Sequence, residues 1–124
     1  AADAAGALTV RRIVPNIAGS DLERAKAFYR RVFELELVMD LGWIVTFAAD
    51  IAARPQISVA SEGGSGTPVP DVSIEVDDVD ETYRRAVDMK CEILYGIADE
   101  PWGVRRFYMR DPFGKTLNVL SHRK

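Results

Sequence analysis

Arg106 and Tyr108 stand two residues apart in Val104-Arg105-Arg106-Phe107-Tyr108-Met109-Arg110, and on a strand that spacing puts both side chains on one face. A guanidinium beside a phenol ring can anchor an anionic or phenolic ligand through charge-assisted hydrogen bonds and stacking. Asp71 and Ser73 keep the same spacing in Asp71-Val72-Ser73-Ile74-Glu75-Val76, as do Thr116 and Asn118 in Thr116-Leu117-Asn118-Val119. Asp71 is a candidate base, although an Asp at a strand start more often serves as a solvated group or an arginine partner. Trp102, beside Gly103 in a loop, covers a pocket mouth or packs beneath its own loop.

Other reactive groups have simpler readings. His122 is the only histidine and shares the parity of Asn118, which makes it a conceivable ligand or general base; its position near the end of the sequence reads as an exposed side chain. Cys91, the single cysteine, has no histidine or second cysteine nearby to activate it and reads as a small buried side chain. The acidic run Asp77, Asp78, Asp80 and Glu81 resembles a metal patch, but it opens a helix, where negative charge is stabilised. There is no glycine-rich phosphate loop, serine triad or cysteine cluster.

The elements that must position these groups occur in two rounds. Ala1 to Ala7 is unpatterned and reads as a frayed leader. Val10 to Ile17 alternates, with Ile13, Pro15 and Ile17 expected on the core face, and Pro15 arguing for an edge or a bulge. Ser20-Asp21-Leu22-Glu23 reads as a capping box with Ser20 as the cap. The helix it opens carries Leu22, Ala25, Phe28, Tyr29, Val32 and Phe33 as one stripe to be buried. Strands are expected at Glu36 to Asp40, Trp43 to Ala48 and Gln56 to Ala60, and either face of Trp43 could point inward. Glu62 to Pro68 reads as a flexible linker.

The order then restarts. Asp71 to Val76 is a strand, and Asp78 caps a helix whose stripe is Val79, Tyr83, Ala86 and Val87. Strands follow at Cys91 to Tyr95, Val104 to Arg110 and Thr116 to Ser121, the last two joined by Asp111-Pro112-Phe113-Gly114, a type I turn sequence. Asp21-Leu22 and Asp78-Val79 begin the two helices 57 residues apart, so the chain is a tandem β-α-β-β-β repeat. In the second round Val72, Ile74, Val76, Phe107 and Met109 face the helix. Asp71, Ser73, Glu75, Arg106, Tyr108, Arg110 and Asn118 line the opposite face, as a wet surface or a pocket wall.

Composition excludes several classes. The chain of 124 residues, 48% of them apolar, suits one domain, which on folding hides roughly 65–70% of its surface. Sixteen Lys and Arg against nineteen Asp and Glu leave a net charge of -3, the opposite of a nucleic-acid footprint. No apolar run is long enough for a membrane span, Ala1 to Leu8 lacks the features of a signal peptide, and a lone cysteine gives no disulfide. A cytoplasmic protein without nucleic-acid or membrane partners is the expectation.

The double β-α-β-β-β order, the stretch from Ser20 to Tyr29 (SDLERAKAFY), and Pro101-Trp102-Gly103 followed by Phe107 to Asn118 (FYMRDPFGKTLN) resemble the vicinal oxygen chelate superfamily. That group includes glyoxalase I, bleomycin-resistance proteins, fosfomycin-resistance transferases and extradiol dioxygenases. The resemblance spans about residues 8 to 122 and implies an α+β fold of tandem βαβββ modules forming a curved mixed sheet, in one domain. Module 1 would cover about 8–61, a linker about 62–70 and module 2 about 71–122. It also implies that the polar faces wall a pocket, that a homodimer is the working form, and that the place of Tyr108 faces the ligand.

Metalloenzymes of that superfamily hold a divalent ion with His, Gln or Glu on the first, fifth and eighth strands. The matching positions are Val14, Asp71 and Asn118: a side chain with no donor, a short carboxylate and a neutral amide. The resemblance therefore implies a protein of the bleomycin-resistance type that holds an organic ligand without a metal or other cofactor. Its ligand contacts would be Asp71, Ser73, Trp102, Arg106, Tyr108 and Asn118, with no catalytic residue assigned. The alternatives are a metal-dependent lyase, dioxygenase or epimerase with a degenerate or partner-completed metal site, and a cavity filled by side chains in an interaction partner.

Overall fold

A computed structural model describes residues 8–123 of the chain, and the leader expected at Ala1–Ala7 lies outside them. The elements run β1 (Val10–Ala18), α1 (Leu22–Phe33), β2 (Glu36–Asp40), β3 (Ile44–Ala48), β4 (Gln56–Ala60), β5 (Val72–Val76), α2 (Val79–Asp88), β6 (Ile93–Asp99), β7 (Val104–Arg110) and β8 (Thr116–His122). This is an α+β chain with the β-α-β-β-β order twice. Two compact units form: one is Val14–Val69, and the other joins the chain before Val14 to everything from Pro70 on.

In the Val14–Val69 unit the strand order is β2-β3-β4-β1, antiparallel except for the parallel β4–β1 pair. Val45, Phe47 and Val59 alternate onto one face, and Leu22, Ala25 and Tyr29 of α1 pack against them. Tyr29 stacks on Phe47 with ring centroids 5.2 Å apart. The cap of α1 is Asp21 rather than Ser20: its carboxylate accepts from the Arg24 amide at 3.0 Å. Glu23, expected to reach back to the cap, pairs instead with Lys26. An Asp already placed at the helix start offers two acceptor oxygens and a full negative charge to the helix dipole, so Ser20 is not needed.

The stripe expected along α1 divides. Phe28, Val32 and Phe33 are 49%, 58% and 58% exposed, and no residue of α1 is fully buried. Ile17 pairs in register with Val59 but stays exposed, as do Pro15 and Ile13. The parallel ladder begins only at Asn16, so Pro15 needs no strand partner within it. On the other face of this sheet the buried hydroxyls of Thr46 and Ser58 meet at 2.7 Å. The stretch read as a loose linker is folded: Gly63 donates to Thr67, Thr67 donates back to Gly64, and both glycines are buried.

In the second unit the order is β5-β8-β7-β6, with β5 and β8 parallel and the other pairs antiparallel. Val76, Val79, Ala86, Phe107 and Val119 form its core, with Tyr83 edge-on to Phe107 at 5.0 Å. Asp78 caps α2 through the Glu81 amide at 3.0 Å, as its sequence predicts. Val87, expected in the buried stripe, is exposed. β6 starts at Ile93 rather than Cys91 and runs past Gly96 to Asp99; of two irregularities in its pairing with β7, the one between Tyr95 and Ala98 absorbs the glycine. Asp111 holds the turn before β8: its carbonyl accepts from Gly114, and its carboxylate accepts from Phe113 and Lys115.

Candidate functional site

Phe107 and Val119 point into the core under α2, so strict alternation sends Arg106, Tyr108 and Asn118 to the opposite face. That face is not wet: Arg106 and Tyr108 are each 2% exposed and Asn118 is 9% exposed. Asn118 lies in register between Tyr108 on β7 and Ser73 on β5. Its Nδ2 donates to Ser73 Oγ at 3.0 Å. Its Oδ1 is buried and accepts from no group among the described residues. A buried acceptor left without a donor costs about 1–3 kcal/mol, which a ligand could recover.

The next row is built around Arg106. Its Nε donates to Glu100 Oε2 at 2.7 Å, and its Nη1 donates to the Tyr108 hydroxyl at 3.0 Å. Tyr95 donates its hydroxyl to the same Glu100 oxygen at 3.1 Å. Trp102 and Tyr108 each place a ring 4.9 Å from the guanidinium carbon, and Tyr95 places one at 5.3 Å. The turn makes this possible. Glu100 donates its amide to Val104, and Gly103, at a φ of +93° that favours glycine, donates to the Glu100 carbonyl. The hairpin thereby folds Glu100 and Trp102 back over Arg106. Arg105, one residue away, points to the other side and pairs with Asp80 and Asp99, which raise its pKa.

The structure thus brings Ser73, Tyr108 and Asn118 together, with Arg106 and Trp102 beside them. It leaves Asp71 apart: exposed at the head of β5, its carboxylate accepts from the Thr116 amide at 2.8 Å, and its own amide donates to the Thr116 carbonyl. It ties β5 to β8. Arg106, read as an anchor for anions, has its charge balanced by Glu100 inside the protein.

His122 is exposed, with Nδ1 2.8 Å from Glu75, whose other oxygen accepts from Arg12. Cys91 is half-buried against the core. The acidic run is structural. Asp77 accepts from the Thr9 amide, Asp78 caps α2, Asp80 meets Arg105, and Glu81 is drawn down to about 2 by hydrogen bonds from Arg84 and Arg85.

A divalent ion does not fit these residues. Val14 is buried without a donor atom, the Asp71 carboxylate is committed to the backbone, and Asn118 offers one neutral oxygen. Among the described residues no three His, Cys, Asp or Glu side chains cluster. Two members of the site, Tyr95 and Glu100, were not singled out by sequence reasoning. The available signal was the Pro101-Trp102-Gly103 turn, which places a residue just before it opposite the strand that follows.

A family model described as the Glyoxalase/Bleomycin resistance protein/Dioxygenase superfamily matches residues 10–119. Among curated proteins no significant match is found. Several solved structures share the fold. One described as NAD-dependent benzaldehyde dehydrogenase from Legionella pneumophila aligns with a TM-score of 0.74 at 13% identity, over 90% of this chain and 100% of its own. A glyoxalase/bleomycin resistance protein/dioxygenase superfamily member from Vibrio splendidus gives 0.62 at 19% identity, over 91% and 99%. The Q60A form of Streptomyces coelicolor methylmalonyl-CoA epimerase, in complex with 2-nitronate-propionyl-CoA, gives 0.70 at 16% identity, over 94% and 100%. At such identities the likeness is one of fold.

Proposed function

This chain belongs to the glyoxalase/bleomycin resistance protein/dioxygenase superfamily, and we propose that it binds a small organic ligand without a metal ion, as a homodimer in the cytoplasm. The observation that carries the reading is Asn118 Oδ1, a buried acceptor without a donor, beside Ser73 and the aromatic ring of Tyr108. Native proteins leave few such atoms unsatisfied, and a ligand donor is a direct way to satisfy this one. Where superfamily metalloenzymes would place ligands, this chain has Val14, a committed Asp71 and Asn118, which supports a metal-independent role. The exposed Phe28, Val32 and Phe33, whose first and last rings lie 5.9 Å apart, support a second copy of the chain as partner. No helix of the described residues is long and apolar enough to cross a membrane.

Thermal-shift screening of small aromatic compounds tests the binding: a ligand at 100 times its Kd adds about 2.7 kcal/mol of stability. Metal analysis after dialysis is the counter-test. Stoichiometric nickel, zinc, manganese or iron that disappears in Asp71→Asn would overturn the proposal in favour of a metal-dependent lyase, dioxygenase or epimerase. Sedimentation tests the dimer: Phe33→Glu should shift the wild-type species to a monomer, and a monomeric wild type would refute it.

A further inference from the structure

We infer that the ligand is a neutral aromatic compound that donates a hydrogen bond, and not a carboxylate or phosphate; this rests on the ligand-binding reading above. Three observations on the same sheet face carry it. The atom awaiting a partner, Asn118 Oδ1, is an acceptor, so its complement must bring an O–H or N–H. One N–H of the amide donates to Ser73 Oγ at 3.0 Å, which leaves the oxygen as the atom without a partner.

The cation that would attract an anion is already matched. Glu100 lies 2.7 Å from Arg106, and the 3% and 5% exposed side chains leave the pair little contact with water. Trp102, Tyr95 and Tyr108 surround the guanidinium at 4.9 to 5.3 Å. An arriving carboxylate would lose its hydration and meet the Glu100 carboxylate as well as Arg106. Tyr108 stands directly opposite Asn118 in the β7–β8 ladder, so a group bonded to the amide oxygen lies against an aromatic ring. The acceptor, the matched charge and the adjoining ring therefore select the same chemical class.

Phenol, anisole and benzoate differ at one substituent and separate the terms: donor, acceptor only, and anion. Binding is followed on the wild-type chain by the side-chain amide resonances of Asn118 and by thermal shift. Phenol is expected to bind about tenfold tighter than anisole or benzoate, the worth of roughly one hydrogen bond. Asn118→Leu should abolish that preference, and Asn118→Asp, which keeps an acceptor oxygen, should retain it. Amide spectra identify any variant that fails to fold, and either variant alone decides the point.

Tighter binding of benzoate, lost in Arg106→Gln, would overturn the donor rule while leaving a ligand-binding protein. Equal binding of phenol and anisole would do the same. Binding of none of the three at millimolar concentration would count against the ligand-binding reading itself, and the inference would fall with it.

Discussion

Glu100 and Arg106 close on each other at 2.7 Å across the β6–β7 turn, nearly out of contact with water. Removing one member strands the other charge. Glu100→Ala should lower stability by about 3–5 kcal/mol in urea unfolding. The double variant Glu100→Leu/Arg106→Met, which removes both charges, should recover most of that loss. A double variant as unstable as the single one would mean that packing, not charge pairing, sets the cost.

The helix caps give a second test. Asp21→Ala and Asp78→Ala should each destabilise by about 0.5–2 kcal/mol, since each leaves a first-turn amide unpaired. Ser20→Ala should stay within about 0.5 kcal/mol, the usual range for a surface change. A larger loss at Ser20 than at Asp21 would restore the serine as the cap.

Phe107 and Tyr108 are neighbours on opposite faces of β7, and truncation should separate their roles. Phe107→Ala removes a fully buried ring from the core and should cost about 3–5 kcal/mol. Tyr108→Phe keeps the ring and removes only the hydroxyl that accepts from Arg106, a change of about 1.5–3 kcal/mol. In phenol titrations Tyr108→Ala should weaken binding more than Phe107→Ala does. The opposite order would place the ligand on the α2 side of the sheet.

Acid sensitivity should reflect Glu81. Arg84 and Arg85 hold its folded pKa at about 2, below the ordinary 4.5. A depressed carboxyl stabilises the fold above its unfolded pKa, and that contribution fades as pH falls from 4.5 through 2. Glu81→Gln should therefore lose less melting temperature over this window than the wild-type chain. Parallel profiles would show that the exposed pairs on α2 carry no stability.

How far the sequence could be read follows from what each pattern encodes. Period-two alternation separated Phe107 from Tyr108 and Val119 from Asn118, because a strand has only two faces. A cap is a local arrangement, so Asp78 is legible in the sequence as the cap of α2; at α1 the same local pattern selects Ser20, although the 57-residue spacing sets Asp21 beside Asp78. Phe28, Val32 and Phe33 went the other way: helical spacing orients a stripe but does not supply the surface that must cover it. Asp71 had the right parity, yet a strand-end carboxylate found the Thr116 amide first. Glu100 was hidden because its burial depends on how one turn closes.

In the first unit Ser58 stands in register with Thr46 and Asn16, as Asn118 does with Tyr108 and Ser73 in the second. Where the second half keeps a buried acceptor without a donor among the described residues, the first satisfies itself with a hydroxyl-to-hydroxyl contact. A duplicated architecture could have offered twin berths. With one of them sealed from within, saturation should occur at a single guest molecule per polypeptide.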